Sequence, residues 1–373
     1  MTKCKLTFTV TVLSLLCILP SCTEQQTDAS YKAHAERLKQ TFESSLFTFS
    51  PTKQKHYAVR LYRITGDKRY VYPIIFDLMI RLKTLHHDER GLHDPEYIKR
   101  LTDPVINNES SFGTINPESR RSALPKGGDL IFYRKLCKNI NTLREYNLID
   151  TRMFPATDKM IKVLHDQKER LAAFLLDREL MKTSGAQLVN YVYYLYRLNV
   201  IDIRRDYIDG LQEALMKEKQ DSALSDAQYC DKIYALTHVI LAASDYYQEY
   251  VDQKAFAWIL DYFEQNIETI LTRTKPDIYA EVGLCFLLTK DNDSQALKKI
   301  KDTIVSDINP EKGMILSVKG SDDLPKGEHR NVLAVMLLDW PASLFPGPDL
   351  RNMPEFQNLL PMQERQEGVQ NLN

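Results

Sequence analysis

The sequence predicts an all-α protein whose helical hairpins form a six-membered ring, an (α/α)6 toroid. Residues 233–243 are apolar on every helical face, a pattern that is stable only where protein surrounds the helix. Residues 256–270 instead place apolar side chains at spacings of three and four with acidic side chains between them, as in a helix with one solvent-facing side. This alternation of inner and outer helices recurs along the chain, which is typical of rings and solenoids.

Residues 1–22 are predicted to be an export signal. Lys3 and Lys5 precede an apolar run at residues 6–19, which is too short for a membrane span. The tetrapeptide LPSC, which ends at Cys22, resembles the bacterial lipobox, in which the cysteine is lipidated. The resemblance implies a periplasmic protein anchored to the outer membrane through Cys22, with residues 23–29 as a polar tether. Pro20 is unusual in that motif, so plain signal cleavage is the alternative.

The composition is that of an ordinary globular protein, with 43% hydrophobic and 27% charged residues and a net charge of -1. A nucleic-acid partner is therefore not expected, since such proteins carry a basic excess. We expect one main domain at residues 30–345, present as a monomer. Its cysteines, Cys137, Cys230 and Cys285, lie among apolar neighbours and are predicted to be small buried residues.

Five hairpins are predicted after a first amphipathic helix at residues 30–46. They span residues 56–82, 129–180, 186–217, 226–271 and 278–305. In the first hairpin, Gly66 and Asp67 end the inner helix, and Pro73 fits the first turn of its partner. A sixth inner helix at residues 330–338 has no outer partner after it, because prolines follow. Pairing it with the first helix would join the chain ends and close the ring.

Two segments are predicted to be irregular. Residues 91–128 are rich in Asp, Asn, Pro, Ser and Gly and are longer than a hairpin turn requires. They contain the tetrapeptide LPKG at residues 124–127, which recurs at residues 324–327, each time before an inner helix. Residues 346–373 form a proline-rich tail.

The sequence motifs of the predicted hairpins resemble those of known proteins at two levels. Residues 61–70, LYRITGDKRY, are similar to the hairpin turns of the six-hairpin glycosidases. That resemblance implies a cleft at one mouth of the ring, lined by the first turns of the inner helices, and says little about the chemistry. Residues 237–240, THVI, and 244–248, SDYYQ, with the export signal and the length, resemble the bacterial family called domain of unknown function 3541. That resemblance implies no activity.

The candidate site residues follow from that cleft, because first helical turns offer unpaired N–H groups and a partial positive charge. The substrate-binding candidates are His56, Tyr57, His238, Glu281, His329 and Arg330. The catalytic candidates are Asp129, Asp231 and Glu328, with Asp129 and Glu328 as the preferred pair because each follows a copy of LPKG.

Two carboxylates across a cleft could act as acid and base on a glycosidic bond. Each assignment has an alternative. The helix dipole by itself favours acidic residues in a first helical turn. A histidine in the middle of a helix, such as His238, is often neutral and bonded to a neighbour, here Tyr234 or a tyrosine of the next hairpin.

No metal or cofactor is predicted, since His86, His87, Asp88 and His93 match no metal-binding spacing. The sequence lacks the HExxH, CxxC, GxSxG and phosphate-binding glycine motifs, which argues against the common protease, kinase, dehydrogenase and esterase classes. We expect a cleft that binds or processes a saccharide or another cell-envelope ligand, as a hydrolase, lyase or isomerase if the protein is an enzyme. The alternative is a non-catalytic scaffold that presents its tail to an envelope protein.

Overall fold

The computed structural model describes residues 22–107, 127–149, 156–218 and 220–359, and their side chains from residue 28 and, before the first gap, up to residue 106. Within these residues the structure is dominated by helices. Strands β1, Ile308–Asn309, and β2, Met314–Ile315, pair antiparallel in a short hairpin. The protein is therefore all-α, as predicted. The predicted export signal at residues 1–21 lies outside the described residues.

The helices alternate with short connections. Helices α1 to α8 are Cys22–Glu43, Pro51–Thr65, Val71–Arg90, Pro95–Asn107, Leu130–Glu145, Thr157–Asp166, Lys168–Leu175 and Arg178–Arg197. Helices α9 to α16 are Arg204–Gln212, Asp226–Ala243, Ala257–Gln265, Ile267–Arg273, Pro276–Leu288, Gln295–Asp307, Leu324–Leu338 and Pro354–Gln357. A π-helical turn, Glu213–Lys217, extends α9. Short 3-10 turns lie at Leu46–Thr48, Lys68–Tyr70, Asp221–Ala223, Gln253–Phe256 and Leu350–Asn352.

Helix α10 is a buried inner helix, as its sequence predicts. Ser225 and Gln228 form a capping box at its start, and from Ile233 to Ala242 every residue but Tyr234 is buried. Helix α10 packs between α8 and α13, α13 packs against α15, and α15 packs against α2. The apolar runs of these helices are therefore covered by one another.

The remaining long helices pack outside this inner set. Helix α3 packs on α2, α9 on α8, α12 on α10, and α14 on α13. Helix α1 packs along α15, and its Ala35, Leu38 and Phe42 are fully buried. The predicted pairing of the first helix with the last long helix is therefore present.

Several helix bounds differ from the prediction. Helix α1 begins at Cys22, so residues 23–29 are helical and do not form an extended tether. Helix α15 begins at Leu324, because the side chain of Asp323 accepts the N–H of Lys326 and caps it. The second LPKG copy is therefore the first turn of this helix. Helix α8 runs through the predicted break near residue 185, with a kink at Ser184 (φ -140°, ψ 17°).

The described part of the predicted irregular stretch at residues 91–128 contains helix α4. The first LPKG copy lies outside the described residues except for Gly127. His86 and His87 lie in the last turn of α3 and not in a loop. Asp88 beside them is buried and accepts hydrogen bonds from the Tyr97 hydroxyl (3.0 Å) and from Lys135 (3.2 Å).

Residues 345–350, at the start of the predicted tail, pack against the C-terminal ends of α2 and α5. The N–H of Phe345 donates to the carbonyl of Arg63 (2.9 Å), and the N–H of Leu350 donates to the carbonyl of Tyr146 (3.2 Å). Cys137, Cys230 and Cys285 are buried and free, as predicted. Among the described residues, none of the helices is both long enough and apolar enough to cross a membrane.

Candidate functional site

Four inner helices bring a group of titratable side chains together. Because α2, α10, α13 and α15 pack in succession, residues that lie five or more positions into each helix can meet. We call this group the His–Glu cluster. It consists of His56, Arg60, Thr237, His238, Glu281, Glu328 and His329.

The first carboxylate of the cluster, Glu328, pairs with a histidine from a different helix. Its Oε1 lies 2.7 Å from Nδ1 of His56. The side chain of Glu328 is 1% exposed and that of His56 is 30% exposed. Burial raises the pKa of Glu328, although the charge of Arg60 opposes the shift. Burial, followed by the charge of Arg60, lowers the pKa of His56. Both shifts favour an uncharged pair, with Glu328 as the group that can release a proton.

The second carboxylate, Glu281, has the opposite environment. It is also 1% exposed, and its Oε2 accepts a hydrogen bond from the Thr237 hydroxyl at 2.8 Å. Nδ1 of His238 lies 3.4 Å from the same oxygen, and Nε2 of His329 lies 3.9 Å from Oε1. Burial by itself would raise the pKa of Glu281, but the two imidazoles and the Thr237 hydroxyl together lower it below its ordinary value. Glu281 is therefore held ionised.

The His329 ring lies near His56 and near Glu281. His329 follows Glu328 in the sequence, and its ring centroid lies 5.1 Å from that of His56. Burial lowers the pKa of His329, and the nearby His56 and Arg60 lower it further. Histidine is a common proton carrier, but at 3.9 Å from Glu281 the His329 ring makes no hydrogen bond to it in this arrangement. Carboxylates whose environments shift their pKa values in opposite directions are typical of a general acid and a general base.

Aromatic rings flank the cluster on the side of α10. The ring centroid of Tyr234 lies 4.2 Å from that of His238, and the centroid of Tyr246 lies 6.2 Å from it. Asp245, Tyr246 and Tyr247 are three consecutive residues with positive φ, at 52°, 56° and 71°. Each such residue other than glycine costs about 1–2 kcal/mol. This left-handed turn folds Tyr246 back towards His238.

Hydrogen bonds and ion pairs hold the left-handed turn in place. The Tyr246 hydroxyl donates to Oδ1 of Asn190 (2.5 Å), and the Tyr246 N–H donates to the carbonyl of Leu241 (2.8 Å). The carboxylate of Asp245 pairs with Arg144 at 2.7 Å. The strain is therefore offset by specific contacts on both sides of the turn.

The structure brings five of the sequence-predicted site residues into the cluster, namely His56, His238, Glu281, Glu328 and His329. It places the preferred partner of Glu328 elsewhere. Asp129 lies at the surface with 42% of its side chain exposed, and it pairs with Arg170 at 2.6 Å. The repeated LPKG tetrapeptide gave the wrong partner for Glu328, because the two helices begin at different positions relative to it. Asp129 precedes the first residue of α5, whereas Glu328 is the fifth residue of α15.

The other predicted residues also lie apart from the cluster. Asp231 lines a separate cavity of about 190 Å³ that also includes Lys182, Lys232 and Glu218. Tyr57 is fully buried, with its hydroxyl 3.5 Å from Oε1 of Glu43, so it packs towards α1.

Arg330 is also used structurally, because its Nε donates to the carbonyl of Ile315 (2.9 Å). Cys22 begins α1, and its side chain lies outside the described part of the structure.

Sequence reasoning missed two members of the cluster, Thr237 and Arg60. Arg60 interrupts an apolar stretch of α2, and a charged residue in such a stretch could have been identified from the sequence as a candidate site residue. Among the described residues, no group of three or more His, Cys, Asp or Glu side chains is arranged to hold a metal ion. The site therefore consists of proton-carrying side chains, one buried guanidinium and aromatic rings.

These features define the class: an all-helical protein with a buried His–Glu cluster built by four inner helices. Residues 31–366 match the model of the family described as Domain of unknown function (DUF3541), and the chain belongs to that family. No curated protein matches the chain, and no solved structure does either. The match confirms the resemblance carried by residues 237–240 and 244–248. Those two sequence segments contain Thr237, His238 and the left-handed turn.

Proposed function

We propose that the inner and outer helices form the (α/α)6 toroid and that the His–Glu cluster lines its axial cleft. The succession of contacts from α2 through α15, α13 and α10 to α8, with α1 packed on α15, supports this arrangement. The positions of the cluster residues support the cleft, because side chains from four helices converge there.

We infer that the cleft processes a saccharide of the cell envelope, with Glu328 as general acid and Glu281 as general base. The observation that carries this proposal is that two fully buried carboxylates lie in one cluster with different partners, Glu328 against His56 and Glu281 against Thr237 and His238, surroundings that shift their pKa values in opposite directions. Glu328 would protonate the leaving oxygen of a glycosidic bond, and Glu281 would take a proton from the attacking water. Tyr234 and Tyr246 offer flat apolar faces with polar edges, which suit a pyranose ring.

The cellular setting belongs to the same proposal. The export signal expected at residues 1–22 supports a periplasmic location, and the lipobox-like tetrapeptide supports anchoring to the outer membrane through Cys22. An envelope saccharide is then the substrate class available to the cleft.

The test is turnover of a panel of envelope and dietary glycans by the wild type and by E328Q and E281Q. We expect each substitution to lower turnover by about 100-fold or more, since proton transfer typically contributes that much, with the helical circular dichroism unchanged. D129N is the matched control, because Asp129 is a surface carboxylate paired with Arg170, and it should retain full turnover. Wild-type inactivity across the panel, or full activity of both glutamine variants, would overturn the proposal.

The alternative is a non-catalytic scaffold, which one observation favours. Tyr72, Phe76, Met79 and Ile80 lie on one face of α3 and are 60%, 53%, 50% and 47% exposed, a stripe that a partner could cover. The described part of the tail packs on its own helices through Phe345 and Leu350. In this alternative, the stripe and not the tail forms the contact with another protein.

A further inference from the structure

Arg60 is a buried cation without a described counter-ion. It is 9% exposed, and its Nε has no hydrogen-bond partner. Among the described residues, no carboxylate oxygen comes within 4.0 Å of its guanidinium nitrogens. Burying an unpaired charge is costly, and a native protein normally pairs it. The unpaired guanidinium of Arg60 therefore points to a group that the described chain itself does not supply.

The contacts that Arg60 does make leave the Nε of its guanidinium buried and without a hydrogen-bond partner. Nη1 donates to the carbonyl of His56 at 3.2 Å, and the guanidinium carbon lies 5.9 Å from the ring centroid of Tyr247. The Tyr247 hydroxyl is likewise buried and has no partner. Arg60 and Tyr247, which are neighbours in the structure, therefore each contain a buried hydrogen-bond donor without a partner.

Arg60 lies close to the proposed acid. Its positive charge lowers the pKa of His56 and His329 and limits the rise in the pKa of Glu328. The two residues are connected through His56, whose carbonyl accepts from Arg60 Nη1 at 3.2 Å and whose Nδ1 lies 2.7 Å from Oε1 of Glu328. A ligand group bound by Arg60 would therefore lie in the same cluster as the Glu328 carboxyl.

Arg63, one turn further along α2, provides a comparison, because it is a buried arginine whose nitrogens contact protein groups. It is 3% exposed. Its Nη2 pairs with Glu145 at 3.2 Å, and its Nη1 donates to the carbonyl of Tyr246 at 2.6 Å. Its Nε donates to the carbonyl of Gly347 at 3.4 Å. Every nitrogen of Arg63 has a partner. Arg134 Nε and Arg197 Nη1 are also buried without a hydrogen-bond partner, but Arg197 lies 3.3 Å from the carboxylate of Asp245, and neither belongs to the His–Glu cluster.

We propose that Arg60 and the Tyr247 hydroxyl bind the carboxylate of an acidic sugar, so that the substrates are saccharides that contain uronic acids. The planar edge of a guanidinium matches the two oxygens of a carboxylate, and the bound carboxylate supplies the missing counter-ion. This inference rests on the proposed saccharide function and adds its substrate class.

The experiment measures binding by calorimetry with the full chain carrying E328Q, so that turnover does not interfere. The probes are uronate oligosaccharides, the same oligosaccharides with each carboxylate reduced to an alcohol, and sulfated neutral oligosaccharides. We expect the uronate form to bind about 10- to 100-fold more tightly than the reduced form, the range for a charge-assisted hydrogen bond. Adding R60Q should remove this preference and leave binding of the reduced form unchanged.

Two further variants keep the test decisive. R60K retains the charge without the planar edge and should keep only part of the preference, whereas R63Q breaks a satisfied ion pair and should lower the melting temperature. R60Q removes an unpaired charge and should melt no lower than its parent.

A preference that survives R60Q, a preference for sulfated sugars, or no binding of any probe would overturn the proposal. Tight uronate binding through Arg60 without wild-type turnover would instead refute only the catalytic proposal.

Discussion

The hydrogen bond between Thr237 and Glu281 provides a quantitative test of the cluster. Thr237 is fully buried, and its hydroxyl donates to Oε2 of Glu281 at 2.8 Å. Valine has nearly the same shape but no hydroxyl, so T237V leaves the ionised carboxylate with one donor fewer. A hydrogen bond to a charged group contributes about 1.5–3 kcal/mol. At about 2.1 cal/mol/K per residue, this loss lowers the melting temperature by about 2–4 °C in a protein of this size.

T289V is the matched control for this substitution. Thr289 is 4% exposed, and its hydroxyl is shared between the carbonyls of Cys285 (3.0 Å) and Phe286 (2.9 Å). It contacts no carboxylate, so its loss should cost about 1 kcal/mol or less. Urea unfolding at pH 7 compares the two variants, and the E281Q background completes a double-mutant cycle. We expect T237V to cost at least about 1 kcal/mol less in that background.

The cost of T237V should also depend on pH. The folded-state pKa of Glu281 lies below its ordinary value of 4.5, so the stabilisation is present above pH 4.5 and is lost as the pH falls through the folded value. The destabilisation by T237V should therefore be complete at pH 7 and should shrink below pH 4.5. If T237V costs no more than T289V, or costs the same with glutamine at position 281, Glu281 is not held as an ion by this bond.

Two further predictions concern stability. Burial lowers the pKa of His329 to about 3. As the pH falls below about 6.5, the unfolded chain therefore binds a proton at this histidine that the folded protein does not bind. The free energy of unfolding should then decrease by at most about 1.4 kcal/mol for each pH unit between 6.5 and 3. H329Q should flatten the curve of urea midpoint against pH, and an unchanged slope would contradict the shift. A Cβ at Gly283 would lie 2.6 Å from Cδ1 of Leu337 and 3.2 Å from Cγ2 of Ile300, and Leu337 is fully buried and cannot move aside. G283A should therefore cost about 1–3 kcal/mol despite its better helix propensity, and a melting temperature equal to or above that of the wild type would refute this packing argument.

Burial was predictable from the sequence because composition decides it. A run such as residues 233–243 has no polar face, so no arrangement leaves it at the surface, and the structure buries it. The pairing of α1 with α15 was predictable for the same reason, since each had an apolar face without a sequential partner. Helix bounds were less predictable, because the kink at Ser184 and the cap at Asp323 depend on backbone geometry that composition does not encode.

The candidate site was predictable in its region but not in its pairing. Reasoning from the first turns of inner helices selected His56, Glu281, Glu328 and His329, because those turns face a common space. The sequence argument paired Glu328 with Asp129 because each follows a copy of LPKG. The two helices begin at different positions relative to that tetrapeptide, and only the structure shows where they begin.

The left-handed turn at residues 245–247 could not be expected either, because Tyr246 and Tyr247 are residues that rarely adopt positive φ. The missing counter-ion of Arg60 depends on what surrounds it, and the sequence alone does not give that.

The packing of α1 on α15 has a consequence for biosynthesis. Roughly 280 residues separate the end of α1 from the start of its partner, so at 5–20 residues per second a ribosome needs about 15–60 s to make the second helix after the first. During that interval Phe42 can pack on Phe49 and Tyr57, which follow directly in the chain, but the face of α1 that packs on α15 is not yet covered by it. The nascent chain therefore depends on a holding chaperone, or on transient contacts with its own earlier helices, until its last long helix emerges.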